Sequence, residues 1–113
     1  MSNASNDSNE PYIVVIGGAN MDICGRPANT LNMRDSNQGR VITSPGGVAR
    51  NIAENLTRLG VRTKLLSVIG DDDFGKTLLT QGNAVGIDMD NVQRLEGQKT
   101  STYISVLDGS GDL

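Results

Sequence analysis

Strand-like and helix-like segments alternate through the first 85 residues, and this alternation does most to narrow the folds open to the chain. Residues 12–16 form a short continuous apolar run rich in Ile and Val, the pattern of a buried strand. It runs straight into Gly17-Gly18, where a backbone can turn sharply or lie close to a ligand. Residues 23–37 are mixed, with Pro27 and several Asn, and read as a short strand followed by a flap. Residues 40–44 alternate weakly as a further strand before Pro45-Gly46-Gly47. The clearest element comes next. Val48, Ala49, Ile52, Ala53, Leu56 and Leu59 fall on one helical face, with Arg50, Glu54, Thr57 and Arg58 opposite them. Gly60 is placed to end that helix. Residues 64–69 read as a second buried strand and residues 71–85 as a second helix, weakened near Gly82. Strand–helix–strand–helix is the grammar of a parallel α/β sheet. The spacing predicts a change after Asp90: residues 91–95 and 100–107 look like strands paired around the turn Glu96-Gly97-Gln98-Lys99. Asp108-Gly109-Ser110-Gly111 is a second hairpin turn signal, whose return strand the 113 residues do not include.

Composition removes several classes of function. The chain carries 10 Lys and Arg against 13 Asp and Glu, a formal charge of −3 without a basic run, so it lacks the footprint of a nucleic-acid binder. Its apolar runs are too short to cross a bilayer. There is no His, and Cys24 is the single Cys, which excludes a His/Cys metal centre, a disulfide framework and His-based acid–base chemistry. Residues 1–11 are polar and aperiodic and read as a disordered leader without targeting features, so a cytoplasmic protein is expected.

Three glycine-rich turns resemble phosphate-binding patterns. Gly17-Gly18-Ala19-Asn20-Met21-Asp22 fails the dinucleotide fingerprint, having Ala19 and Asp22 where Gly is required, and Asp22 would repel a pyrophosphate. Residues 70–77 satisfy the literal P-loop pattern, yet three consecutive carboxylates, Asp71 to Asp73, would oppose phosphates in that cradle. They suit the cap and dipole of a helix N-terminus instead. The third turn, Gly46-Gly47, opens the amphipathic helix and lets a substrate lie against bare backbone, with Asn51 in the first turn as an amide contact. Asn20 and Asp22 fall just past a buried strand, where open α/β sheets place ligands. Asp22 accepts from neighbouring hydroxyls and Asn20 both donates and accepts. Asn20, Asp22, Gly46, Gly47 and Asn51 together suit an uncharged polyol.

At these residues the chain resembles the ribokinase-like (PfkB) carbohydrate kinases. Asn20-Met21-Asp22 matches the family's opening turn, Gly46-Gly47 with Asn51 its first signature, and residues 70–75 its Gly-x-Asp-x-Phe-Gly segment. Residues 30–39 and Thr100-Ser101-Thr102-Tyr103 look most like the pseudouridine-phosphorylating branch. The resemblance implies a central, mostly parallel sheet with helices on both faces and a small β lid, formed here by residues 23–44 and 91–113. It implies that Asn20, Asp22, Gly46, Gly47 and Asn51 hold sugar hydroxyls, with Asp35, Ser36, Asn37 and Thr102 as further substrate or lid candidates. It also implies ATP and Mg²⁺ as reactants, a monovalent cation, a sugar or nucleoside acceptor, and a homodimer through the lid. The family's catalytic Gly-Ala-Gly-Asp segment and ATP site do not occur in these residues. The expectation is therefore an N-terminal fragment, inactive alone, of a kinase forming pseudouridine 5′-phosphate. The alternatives are ribokinase or another sugar kinase of the family, and a non-catalytic sugar-binding or regulatory protein.

Overall fold

The computed structural model describes residues 10–110; residues 1–9 of the expected leader and the end of the last turn lie outside the described residues. The described order is β1 (Ile13–Ile16), β2 (Asn20–Pro27), β3 (Gly39–Gly46), α1 (Val48–Arg58), β4 (Thr63–Leu66), β5 (Val68–Gly70), α2 (Asp73–Val85), β6 (Gln93–Leu95) and β7 (Thr102–Val106). The α/β class expected from the sequence is the class observed. β1 pairs with β4 in parallel and β5 with β6 in parallel. The run expected as one strand over residues 64–69 is thus interrupted at Ser67, and each half has its own neighbour.

β2 does not continue the first sheet. It forms a separate three-stranded sheet, antiparallel to β3 and parallel to β7. Residues 91–95 and 100–107 are therefore not partners of each other. The turn at Glu96 and Gly97 forms, but β6 stays with β5 whereas β7 crosses to β2. The hydrophobic pattern marked both strands, yet pairing is non-local and a turn signal alone does not choose it. Of the lid segment expected from residue 91 onward, β7 joins the three-stranded sheet and β6 does not.

Both helices lie on one face of the β1–β4 sheet. Ala49, Ala53, Leu65, Ile87 and Met89 form one buried cluster, with Val15, Leu79, Val85 and Val92 packed against it. Ala19, Met21, Ile69 and Leu78 form a second, which shares Leu79 and Val92 with the first. β1 is less buried than its composition suggests: Val14 and Ile16 face away from the helices and are exposed. α1 is also rotated from the expected orientation. Ala49, Arg50 and Ala53 are buried, while Val48, Ile52 and Leu59 are exposed. Small side chains allow α1 to approach β1 closely, and Arg50 is tolerated inside because Glu54 neutralises it at 2.7 Å. Arg58 first and Arg50 second hold Glu54 below the usual carboxylate range, against the opposing effect of burial.

The helix ends follow local sequence. After α1 the Gly60 N–H bonds to the Thr57 carbonyl and the Val61 N–H to the Leu56 carbonyl, closing the helix with Gly60 at φ 88°. α2 runs unbroken through Gly82, against which the Met89 side chain packs. Asp72 caps α2, accepting from the Gly75 N–H at 2.9 Å. It also accepts from the Thr100 hydroxyl at 2.5 Å and the Thr100 N–H at 2.9 Å.

The Thr100 hydroxyl first, then the N–H groups of Thr100 and Gly75, bring the Asp72 carboxyl from 3.8 down to about 2. A depressed carboxyl stabilises the fold above its unfolded value and loses that contribution as pH falls through the folded one. Urea titrations of the intact protein between about pH 5 and about pH 2.5 should show the wild type losing stability more steeply than Asp72→Asn. Parallel acid limbs would remove Asp72 from this role.

Candidate functional site

The site is built where three backbone segments meet: the end of β1, the start of β2, and the junction of β3 with α1. Gly47 occupies φ 97°, in the left-handed region that L side chains avoid. A Cβ there would sit 2.5 Å from the Gly18 carbonyl oxygen. The same carbonyl accepts from the Arg50 N–H at 3.2 Å, tying the first turn of α1 to the turn after β1. No side chain caps α1.

Asn20 and Asp22, expected just past a strand, in fact open a second one. Asn20 pairs with Gly46, and Asp22 with Ser44. The Asp22 carboxylate folds over Gly46, where an added Cβ would lie 2.6 Å from the Asp22 Cγ. Asn20 Nδ2 donates to Asp22 Oδ1 at 2.7 Å. That bond leaves Asn20 Oδ1 and Asp22 Oδ2 to accept from a ligand. Among the described residues no cation pairs with Asp22.

Asn51 stands one turn into α1, its N–H bonded to the Gly47 carbonyl at 2.9 Å. Arg50 Nη1 donates to Asn51 Oδ1 at 3.3 Å, so Asn51 offers its Nδ2 as a donor. The charge pattern of α1 assigned Arg50 to the solvated face; the structure places it behind Asn51, orienting the amide. An open cleft of about 690 Å³ adjoins the site, lined by Gly17, Gly18, Asn20, Ser67, Gln93 and Ser101 among others.

The weaker candidates separate. Asp35, Ser36 and Asn37 lie beyond the far end of the β2–β3 ladder, which runs eight pairs from Asn20–Gly46 to Pro27–Gly39, roughly 25 Å at strand rise. Their polar groups close the loop locally: Asn37 Oδ1 accepts from the Asn32 N–H at 2.8 Å, and Asp35 Oδ1 from the Ser36 N–H at 2.8 Å. They are not brought to Asp22 within this chain. Paired residues on neighbouring strands share a face. Thr102 pairs with Met21, whose side chain enters the core, so Thr102 belongs to the face opposite Asp22. Tyr103 pairs with Asp22 and shares its face, half-exposed. Strand alternation offered the signal for Tyr103, but its use required knowing that β7 pairs with β2.

The P-loop-like segment turns in on itself: the Gly75 N–H, which a P-loop would offer to a phosphate, donates to Asp72. Among the described residues no group of three or more His, Cys, Asp or Glu is placed to hold a metal ion. No described helix is long and apolar enough to cross a membrane.

Residues 10–113 match the family model described as pfkB family carbohydrate kinase. The chain belongs to the pfkB family. Pseudouridine kinase of Escherichia coli (strain K12) is 46% identical over 102 residues, covering 90% of this chain and 33% of that protein. Guanosine-inosine kinase of Exiguobacterium acetylicum is 34% identical, covering 89% of this chain and 33% of the relative. Among solved structures, a carbohydrate kinase from Agrobacterium tumefaciens superposes with a TM-score of 0.81 at 27% identity, over 90% of this chain and 33% of that one. This pfkB chain thus spans about a third of the length of the curated relatives it matches.

The two glycines should separate by effect. Gly47→Ala should cost about 1–3 kcal/mol of stability from its backbone region alone. Gly46→Ala, by displacing the Asp22 carboxylate, should chiefly weaken ligand binding. Urea unfolding together with ligand titration of the intact protein checks both, and equal effects on stability would contradict the assignment.

Proposed function

We propose that the full-length protein phosphorylates pseudouridine to pseudouridine 5′-phosphate with ATP and Mg²⁺, and that this chain supplies the sugar-holding half. The observation that carries the reading is the hydrogen-bond polarity of the site. Asn20 Oδ1 and Asp22 Oδ2 accept and Asn51 Nδ2 donates. A ribosyl diol, whose hydroxyls both donate and accept, matches that set, and no cation is needed as it would be for a phosphorylated sugar. The similarity to Escherichia coli pseudouridine kinase supports the choice of nucleoside. A specific observation also favours a second reading, a purine nucleoside: the similarity to guanosine-inosine kinase.

ATP supplies the phosphoryl group, and its site, with that of Mg²⁺ and any monovalent cation, is assigned to residues outside this chain. Within the chain, Asp22 and Asn20 orient the ribosyl hydroxyls that do not react, and Asn51 fixes the ring from the α1 side. Asp22 is a positioning group and not the base. The three-stranded sheet serves as the lid that excludes water as a competing acceptor. Tyr103, beside Asp22, offers a stacking surface to the base. The loop at Asp35, Ser36 and Asn37 is assigned no contact with a substrate bound at Asp22 in the same chain. The reading includes a homodimer through the sheet face that exposes Val41, Ile104 and Val106, and a cytoplasmic location, where ATP is available.

Full-length protein incubated with Mg-ATP and, separately, pseudouridine, uridine, guanosine, inosine and ribose should give a phosphorylated product from pseudouridine, detected by mass. Turnover of guanosine or inosine alone would favour the purine reading, and turnover of none would discard both nucleoside readings and leave the substrate open. Asp22→Ala should raise KM for the nucleoside with little effect on KM for ATP. Tyr103→Ala should raise KM for the nucleoside on the order of tenfold while leaving use of any free sugar unchanged, as loss of one stacked base predicts.

A further inference from the structure

The Gly-x-Asp-x-Phe-Gly segment is the one motif that the sugar site leaves unused. Its Asp72 does more than cap α2. The Asp72 carboxylate binds both the hydroxyl and the N–H of Thr100, and the same hydroxyl accepts from the Gly70 N–H at 3.0 Å. One residue away, the Asp71 N–H donates to the Gln98 carbonyl at 3.0 Å. Thr100 is 5% exposed, and a Cβ on Gly70 would run into the Thr100 backbone, so the two segments interlock without slack.

The next residue carries the connection to the site. The Ser101 carbonyl accepts from the Met21 N–H at 3.0 Å, and Met21 lies between Asn20 and Asp22. The Met21 side chain is 2% exposed and packs with Ile69 and Leu78, next to the start of α2. The origin of β2 is thus held from two sides, by its own buried side chain and by the segment that Asp72 grips.

We propose that Asp72 is a positioning residue for the sugar site: by fixing Thr100 and hence Ser101 it holds the Asn20–Asp22 segment in register with Gly46. The proposal rests on the sugar-kinase reading for the identity of the ligand. Asp72 does not touch substrate. It acts through Thr100, Ser101 and Met21, and its loss affects acceptor binding more than the nucleotide.

The test uses the full-length protein and four variants: Asp72→Asn, Thr100→Val, Thr100→Ser and the Asp72→Asn/Thr100→Val double. In Asp72→Asn an amide replaces one carboxylate oxygen, so one of the three donors now faces another donor. Asp72→Asn and Thr100→Val should each raise KM for the accepted nucleoside roughly tenfold, below the ~100-fold that a 1 Å misplacement costs. KM for ATP should stay within about twofold, since a loss of acceptor positioning acts on one substrate. Thr100→Ser keeps the hydroxyl and should restore wild-type values. The double variant should be no worse than the worse single, because both remove one coupled device. Hydrogen exchange across residues 19–23 should quicken in Asp72→Asn, with α1 unchanged.

Lower thermal stability with an unchanged nucleoside KM would overturn the proposal, as would additive effects in the double variant. If Asp72→Asn fails to fold, the Thr100→Val and Thr100→Ser pair decides by the same KM comparison. If the wild-type protein phosphorylates none of the acceptors, the nucleoside readings fall. Exchange then decides separately: unchanged protection of residues 19–23 overturns the grip, and faster exchange there supports it.

Discussion

The close approach of backbone at Gly46 and Gly47 sets how the β1–β4 sheet and the three-stranded sheet meet. The Gly47 backbone lies against Gly18 and Ala19, and the space a Gly46 side chain would fill holds the Asp22 carboxylate. A side chain at either position would push β3 and α1 away from the turn after β1. The first turn of α1 would then lose its bond to the Gly18 carbonyl. Asn20 and Asp22 would lose their register with Gly46 and Ser44. Two distant stretches of sequence, residues 17–22 and 44–51, are held together because two consecutive residues contribute almost no volume there.

The remainder of the fold carries that junction into a supporting frame. Met21 anchors the start of β2 among Ala19, Ile69 and Leu78, and Leu79 and Val92 join this cluster to the one beneath α1. The hairpin that extends from the junction has no comparable core. Val41, Ile104 and Val106 on one face are exposed, so its geometry depends on the backbone ladder and its anchored base. Such an element can move as a unit while its origin stays fixed, which suits a sheet that covers a ligand.

The polar residues show a similar division. Asn20, Asp22 and Asn51 have their hydrogen-bonding polarity set by neighbours: Asp22 fixes the Asn20 amide, and Arg50 fixes that of Asn51. Burying a guanidinium for that purpose is costly. Its pairing with Glu54 one turn away offsets the cost. The acidic run at residues 71–73 is spent differently, with Asp72 on the α2 cap and Thr100, and Asp71 in an exposed pair with Arg94 at 3.1 Å that contributes little.

Features that depend on neighbours in sequence were legible without coordinates. The two helices, the stop at Gly60, the cap at the acidic run and the turn at Glu96-Gly97 each follow from local propensity and hydrogen bonding. That Asn20 and Asp22 belong with Gly46 and Gly47 was an expectation carried by residue type and the family resemblance; their place on β2, with Asn20 opposite Gly46 and Asp22 opposite Ser44, came from the structure. Tertiary structure alone decided what depends on contacts between distant residues. It split residues 63–70 between two partners, sent β7 to β2 and not to β6, turned Arg50 inward and put Tyr103, not Thr102, on the face of Asp22. A one-residue change of register reverses the face of every side chain in a strand. The period of a strand reveals its two faces, and only its partner determines which one meets the ligand.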